Sequence, residues 1–440
     1  MFSIMNVLRT LLAKLIAFLY VVTTVAGAGL PFGASELPET PDDFTPVIRF
    51  AVCSDVHLDG DPEAAEAQRL AKLFDTVYAY SESQEYKNFD ALCVAGDFTD
   101  QGKAEQYDLF NSIIAENKKD ETQLLVCMGN HEFIDTRDVD ASQGTRMFEA
   151  KMERDDDTST VINGYHFILS SYCEDGHSFT GKCSWINSEI KKAIKDTGDK
   201  PVFVFQHPAP FASIYGSISW GDPSIPAVFL KYPQVVNFSG HSHFPVNDPR
   251  SCWQGGYTAF GCGTLSYFET ELDGISGNFP YSVEEAAQFY IVEADAEGNV
   301  RVLSYDLITD QFFDNEYYLT DLAKRNFDYS YAKMKLRDDA PVFPESTQIS
   351  VDTNDEGNSI LTFTGAEDKY VVESYKLSVT KNGIKVAEDN FSGKYMYLFE
   401  EDVYTSDLGK LEPGKYNVQI VALNAYAETS APFSYTFTVK

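Results

Sequence analysis

Ile48-Arg49-Phe50-Ala51-Val52-Cys53-Ser54-Asp55-Val56-His57 sets a largely apolar run directly against an acid and an imidazole that stand one residue apart. A short apolar run of this kind reads as a buried strand, and the Asp-x-His pair falls where that strand ends. On extended backbone, alternate side chains point the same way, so Asp55 and His57 can reach one common ligand. The pattern recurs down the chain. Apolar residues 91–95 lead into Gly96-Asp97-Phe98-Thr99-Asp100, and residues 124–128 lead into Gly129-Asn130-His131-Glu132. Residues 202–205 precede Gln206-His207, and residues 235–238 precede Ser239-Gly240-His241-Ser242-His243.

Amphipathic stretches separate these runs. Leu70, Leu73, Phe74, Val77 and Tyr78 line one helical face, as do Tyr107, Phe110, Ile113 and Ile114. Trp185, Ile186, Ile190 and Ile194 form a third such face, with Ser184 as its expected cap. Short buried strands alternating with helices predict an α/β core. Residues 289–293 and 300–305 flank Glu297-Gly298-Asn299, a hairpin signal, so antiparallel strands are expected beside the parallel ones. In open α/β sheets, ligands gather outside the carboxyl ends of the strands. The five loops should therefore meet at one edge.

Their donors are carboxylates, imidazoles and an amide carbonyl, with no thiolate committed. Such a set suits Mn, Fe, Zn or Mg ions better than a structural cysteine zinc site. One Asp-x-His pair alone would say little. Five strand-ending elements, holding five of the seven histidines, say much more. His166 and His177 stand apart from them and read as structural histidines.

Composition bounds the rest. With 440 residues, more than one compact unit is expected. A net charge of −33 repels phosphate backbones, so a nucleic-acid duplex is not an expected partner. Arg9 and Lys14, the apolar residues 15–25, and Ala26-Gly27-Ala28 describe a signal peptide over residues 1–28. That predicts a secreted or extracytoplasmic protein. Retention of the segment as a membrane anchor is the alternative. Residues 29–46 carry four prolines and read as a linker. Cys53, Cys93 and Cys127 sit in apolar runs and read as small buried hydrophobes. Cys173 with Cys183, and Cys252 with Cys262, are candidate pairs in an oxidising compartment, with connectivity open.

Residues 47–340 are thus expected to form the catalytic unit. Past Pro341 and Pro344 the helical periodicity stops. Residues 345–440 show short alternating strands, among them 359–364, 371–379, 416–422 and 434–439, which predict an all-β sandwich. The stretch from Leu411-Glu412-Pro413-Gly414-Lys415-Tyr416 to Leu423-Asn424-Ala425 resembles the later strands of fibronectin type III modules.

Taken together, the five motifs resemble the calcineurin-like metallophosphoesterase family over residues 48–307, nearest its cyclic-nucleotide phosphodiesterase-like branch. The resemblance implies a four-layer sandwich of two mixed sheets with outer helices. It also implies two divalent metal ions. Asp55, His57, Asp97 and His243 would hold one, and Asp97, Asn130, His207 and His241 the other, with Asp97 bridging. His131 would face the scissile phosphate as general acid, oriented by Asp100. Purple acid phosphatases carry a metal-binding tyrosine where this chain has Asp100, which disfavours that subgroup. Divalent ions in such a pair lower the pKa of bridging water towards about 7, giving a hydroxide nucleophile near neutral pH.

The implied substrate is a phosphorylated small molecule or nucleotide-type phosphate mono- or diester. A 5′-nucleotidase-like phosphatase is the second reading. A surface binding or adhesion protein with a vestigial phosphoesterase domain is the third, with cell-surface or carbohydrate contact through the C-terminal unit. Phe211, Tyr215, Trp220 and Asp222 follow His207 and are expected to overhang the site. Packing within their own loop is the expected work of these aromatics, and stacking on a base or sugar the alternative. Arg250 is a candidate contact for substrate phosphate. Glu132 is expected to cap a turn or face solvent, with support of the ligands from behind as the alternative.

Overall fold

The computed structural model describes residues 36–173, 178–399 and 401–440. The expected signal peptide or anchor over residues 1–28, and His177, lie outside the described residues. Among the described residues no helix is long and apolar enough to cross a membrane.

The chain opens with β1 (Pro46–Cys53), α1 (Ala65–Ser83), β2 (Ala91–Ala95), α2 (Ala104–Asn117) and β3 (Gln123–Cys127). It continues through α3 (Ser142–Met152), β4 (Thr158–Ile162), β5 (Tyr165–Leu169), α4 (Cys183–Thr197), β6 (Val202–Pro208) and β7 (Val235–Gly240). Then come β8 (Cys252–Gln254), β9 (Thr258–Gly261), β10 (Thr270–Leu272), β11 (Ile275–Asn278), β12 (Gln288–Asp295), β13 (Val300–Asp306) and β14 (Gln311–Leu319).

Two six-stranded mixed sheets result, in the orders β14-β13-β12-β1-β2-β3 and β4-β5-β6-β7-β9-β8. Strands β1, β2 and β3 run parallel, as do β5, β6, β7 and β9. The remaining ladders, including the expected β12–β13 hairpin, are antiparallel. Phe50 of β1 locks the sheets together, meeting Phe203 of β6 at 4.8 Å and Phe167 of β5 at 5.0 Å, both edge-to-face. Outer helices bury the predicted stripes: Leu70, Leu73, Phe74 and Val77 on α1, and Tyr107, Phe110, Ile113 and Ile114 on α2. Burying side chains of this size stabilises by roughly 1.5–3 kcal/mol each.

Helix α4 departs from expectation at its start. It begins at Cys183, which puts Ser184 inside the first turn, and the preceding Lys182 makes no side-chain cap. Lys182 is drawn off by ion pairs with Asp156 and, at 2.8 Å, Asp157. All seven cysteines are free thiols, so neither candidate pair is joined. The β8–β9 register sets Cys252 against Phe260 rather than Cys262.

The chain divides into two compact units, the second comprising residues 247–249, 269–283 and 335–440. It contains the β10–β11 hairpin and seven strands: β15 (Ile349–Thr353), β16 (Ser359–Thr364), β17 (Val372–Lys381), β18 (Ile384–Ser392), β19 (Val403–Asp407), β20 (Gly414–Asn424) and β21 (Phe433–Val439). They form antiparallel sheets ordered β15-β16-β19 and β18-β17-β20-β21. Leu361, Phe363, Tyr375, Leu377, Val418 and Ile420 are buried in the core of this unit.

Candidate metal centre

Five strands of the first unit deliver their carboxyl ends to one place. Past β1 and β2 the chains stay paired: Asp55 N–H donates to Gly96 O (3.2 Å), His57 N–H to Asp97 O (3.0 Å) and Leu58 N–H to Phe98 O (3.1 Å). Asp55 at the end of β1 then reaches across to the β7 loop, where its carboxylate accepts the His241 N–H at 3.0 and 3.1 Å. A methyl group on Gly240 would overlap the Ser54 hydroxyl and the Asp55 carboxylate. The two loops can approach this closely only because that position carries no side chain.

Three groups of possible ligands emerge: Asp55 with His57 and His243, Asp97 with His207 and His241, and, sharing His57 with the first, Asp100 with His131. The first two hold the expected ligands. In the first, His243 Nε2 lies 3.1 Å from Asp55 Oδ1 and 3.2 Å from His57 Nε2. In the second, His207 Nε2 lies 2.8 Å from Asp97 Oδ2. That same Nε2 is 3.7 Å from Asp55 Oδ1, which links the groups. All seven expected ligand side chains except Asn130 fall in these two groups, and Asn130 adjoins the second through its neighbour His131, whose N–H donates to Asp97 Oδ1 at 2.8 Å.

Backbone strain marks the same residues. Asp55, His57, Asp97, His241 and His243 all hold positive φ, between 49° and 73°. For non-glycine residues this left-handed region costs of order 1 kcal/mol or more each, and it collects at functional sites.

The residues fit a pair of cations. His207 Nδ1 lies 2.8 Å from Ala95 O, and His243 Nδ1 lies 2.9 Å from Tyr267 O. A carbonyl only accepts, so each Nδ1 carries the proton and each Nε2 turns a lone pair inward. Asn130 Oδ1 and His207 Nε2 are both buried without a hydrogen-bond partner, although Asp97 stands within ion-pair distance of the latter. Buried acceptors left unmatched are costly, and a cation between them would satisfy both.

Electrostatics agree. Burial alone would raise the Asp55 carboxyl, yet His243 and His207 hold it well below the usual range. Burial likewise opposes the low value of Asp97, which His207 imposes. His241 is pushed down to about 3 by burial and by His207. Burial would lower His207 as well, but Asp97 and Asp55 raise it to about 9, so a proton and a metal compete for its Nε2.

His131 sits beside the first two groups, its ring 4.3 Å from that of His57 and its side chain 25% exposed. The expected carboxylate partner is replaced by a backbone one: His131 Nδ1 donates to Asp100 O at 2.7 Å, while Asp100 Oδ1 stays 3.8 Å away. That carboxylate accepts from the Gln101 amide instead. Arg250 is not brought into any of the groups. Its guanidinium lies 3.5 Å over the Tyr215 ring. His166 pairs with Asp196 at 2.9 Å and belongs to none of the ligand groups.

Glu132 takes the alternative role, support of the ligand loops, and does not face solvent. It is fully buried. Its Oε2 accepts the N–H of Asp97 (3.0 Å) and of Gly129 (2.6 Å), and its Oε1 accepts the N–H and hydroxyl of Thr99, each at 2.9 Å. Burial, then Asp97, raises its carboxyl to about 7. Little in the sequence separates this glutamate from an exposed one, because three of its four donors, on Asp97 and Thr99, lie in a loop 33–35 residues away.

Residues 48–245, which include all seven expected ligands, match the family described as Calcineurin-like phosphoesterase. No curated protein sequence matches the chain. Among solved structures, a purple acid phosphatase from yellow lupin (Lupinus luteus) seeds is similar at 14% identity and TM-score 0.42, over 66% of this chain and 56% of that one. The chain thus spans little more than half of that phosphatase. A PKD domain of an M14-like peptidase from a Thermoplasmatales archaeon is 15% identical with TM-score 0.16, over 23% of this chain and 97% of that one. A cytokine receptor complex shows 12% identity and TM-score 0.16, over 40% of this chain and 87% of that one.

Proposed function

We propose that this chain is an exported hydrolase of phosphate mono- or diesters that works with two divalent metal ions. The observation that carries the reading is the convergence of six carboxylate and imidazole donors from four strand ends, with Asn130 Oδ1 at the end of a fifth buried and unmatched. In this reading Asp55, His57, Asp97 and His243 hold one ion, and Asp97, Asn130, His207 and His241 the other. When bound, such a pair supplies a nucleophile from water near neutral pH and offsets charge on the phosphate oxygens.

The chain's own residues do the rest. Asp100 O fixes the His131 tautomer by holding Nδ1–H. Nε2, 4.0 Å from Asp97 Oδ2, then faces the reacting phosphate and, once protonated, gives its proton to the departing alkoxide. Glu132 holds the Asp97, Thr99 and Gly129 backbones in place, so that neither ligand loop needs to rearrange during reaction. A binding protein with a vestigial site would have shed ligands, whereas all eight side chains, the seven donors and His131, are retained.

Export rests on the sequence of residues 1–28. For the second unit, the strand orders β15-β16-β19 and β18-β17-β20-β21 support a fibronectin type III-like module. So does the Tyr416 hydroxyl near the start of β20, which donates back to Glu412 O.

The test is chelation of the purified chain followed by Mn2+ reloading, with metal content and turnover of aryl phosphate mono- and diesters both measured. Turnover should appear with metal and vanish in Asp97→Asn. Metal-independent turnover, or none with any divalent ion, would overturn the proposal.

A further inference from the structure

The loop that follows His207 is built as a rigid strap. Its ends are tied by Asp222 N–H donating to Ala209 O (2.8 Å) and Phe211 N–H to Asp222 O (2.9 Å). The Asp222 carboxylate is buried and accepts the N–H of Ser224 (2.7 Å) on one side and of Phe179 (3.3 Å) on the other. Inside the strap Tyr215 packs on Phe244 at 4.2 Å between ring centres. Gly216, at φ 79°, has no room for a Cβ beside the Phe244 ring. Ser217 to Trp220 then form one helical turn, closed by Trp220 N–H to Gly216 O at 3.0 Å.

Of the strap's aromatics, Tyr215 does the packing expected of it, and Trp220 does not. Trp220 is 39% exposed. Its ring stands 5.9 Å from that of His241, at an interplanar angle of 89°. A single exposed apolar side chain is ordinary on a protein surface. This one is held in place by a strap fixed at both ends, against a donor of the metal centre. A flat, apolar, preorganised surface at the rim of a charged site is suited to one kind of neighbour, a planar ring.

We propose that Trp220 is a specificity residue, a stacking platform for a planar ring carried by the phosphate ester. The favoured substrates are accordingly esters whose organic group is aryl or nucleoside-like rather than a simple alkyl or polyol. This rests on the phosphoesterase reading above. The platform acts on binding of the organic group and leaves metal loading untouched.

The full chain loaded with Mn2+ is titrated calorimetrically with phenylphosphonate and with methylphosphonate, which differ in the ring alone. Wild type should bind the phenyl compound more tightly, on the order of ten-fold, as stacking energies suggest. Trp220→Ala should abolish that ratio while methylphosphonate affinity and metal content stay unchanged, and Trp220→Phe should keep part of it. In turnover, Trp220→Ala should raise KM for aryl esters and leave alkyl esters alone. Equal affinity of wild type for the two phosphonates, or a phenyl preference that survives Trp220→Ala, overturns the platform while the hydrolase reading stands. Failure of metal-loaded wild type to bind either phosphonate or to hydrolyse any ester overturns both.

Discussion

Glu132 Oε2 accepts the backbone N–H of Asp97 at 3.0 Å, and it does so from full burial. The same carboxylate holds Gly129 and Thr99, so one side chain sets the distance between the second and third donor loops. Glu132→Gln keeps the shape but offers one acceptor oxygen and an NH2 group, which leaves backbone N–H groups facing a donor. Loss of the partner for a buried group costs about 1–3 kcal/mol, and loss of support behind a ligand weakens metal binding roughly 10–100-fold. Divalent-metal affinity of Glu132→Gln should drop within that range, with full occupancy regained at high metal. Wild-type affinity and melting temperature in this variant would show that Glu132 is not a positioning residue.

Gly240 gives a sharper steric test. A methyl there would have to displace Ser54 or Asp55, both of them fully buried. Forcing extra volume into packed surroundings costs about 1–3 kcal/mol. Gly240→Ala should therefore remain folded by circular dichroism yet bind less than the wild-type complement of metal, because Asp55 shifts. An unchanged metal stoichiometry and affinity would place the β7 loop further from Asp55 than this geometry requires.

His131 separates proton donation from metal holding. In the reading above it coordinates nothing, and its ring is steered by Asp100 O. His131→Ala should keep its metal and lose roughly 10²–10⁴-fold in rate on esters with poor leaving groups, with a much smaller loss on activated aryl esters. Asp100→Asn should be mild by comparison, since the backbone carbonyl makes the hydrogen bond. Equal losses on both ester types would remove the general-acid role.

How legible all this was in the sequence depended on the range of the interaction. Apolar runs that end in Asp55, Asp97, Asn130, His207 and His241 announce themselves, because strand burial and ligand chemistry are both written within about ten residues. The α1 and α2 stripes are local for the same reason. Glu132 was hidden, since its partners at Asp97 and Thr99 lie 35 and 33 residues away and no local pattern encodes them. Asp100 was half legible. Its position was right for His131, but a sequence cannot tell whether the carbonyl or the carboxylate will turn towards the ring. Residues 269–283 read as part of the first unit, yet the chain pairs them into a hairpin that belongs to the second.

The second unit holds a titratable pair of its own. Asp338 is buried and accepts from the Asn424 amide at 2.8 Å, and Asp338 Oδ1 and Asp368 Oδ2 are both buried without a donor. Burial, then the neighbouring Asp368, raises the Asp338 carboxyl to about 7, against 3.8 for an ordinary aspartate. The folded chain therefore keeps a proton that the unfolded chain has released. The stabilisation is fully present below the unfolded value of 3.8 and is lost as pH rises through about 7. Asp338→Asn removes the charge that burial opposes, so it mimics the protonated form at every pH. Thermal unfolding of the full chain should show Asp338→Asn melting a few degrees above wild type at pH 8, with the difference narrowing as pH falls below about 7 and closing only near the unfolded value of 3.8. If the difference is constant with pH, or runs in the opposite direction, then Asp338 is ionised in the folded state and its burial has some other compensation.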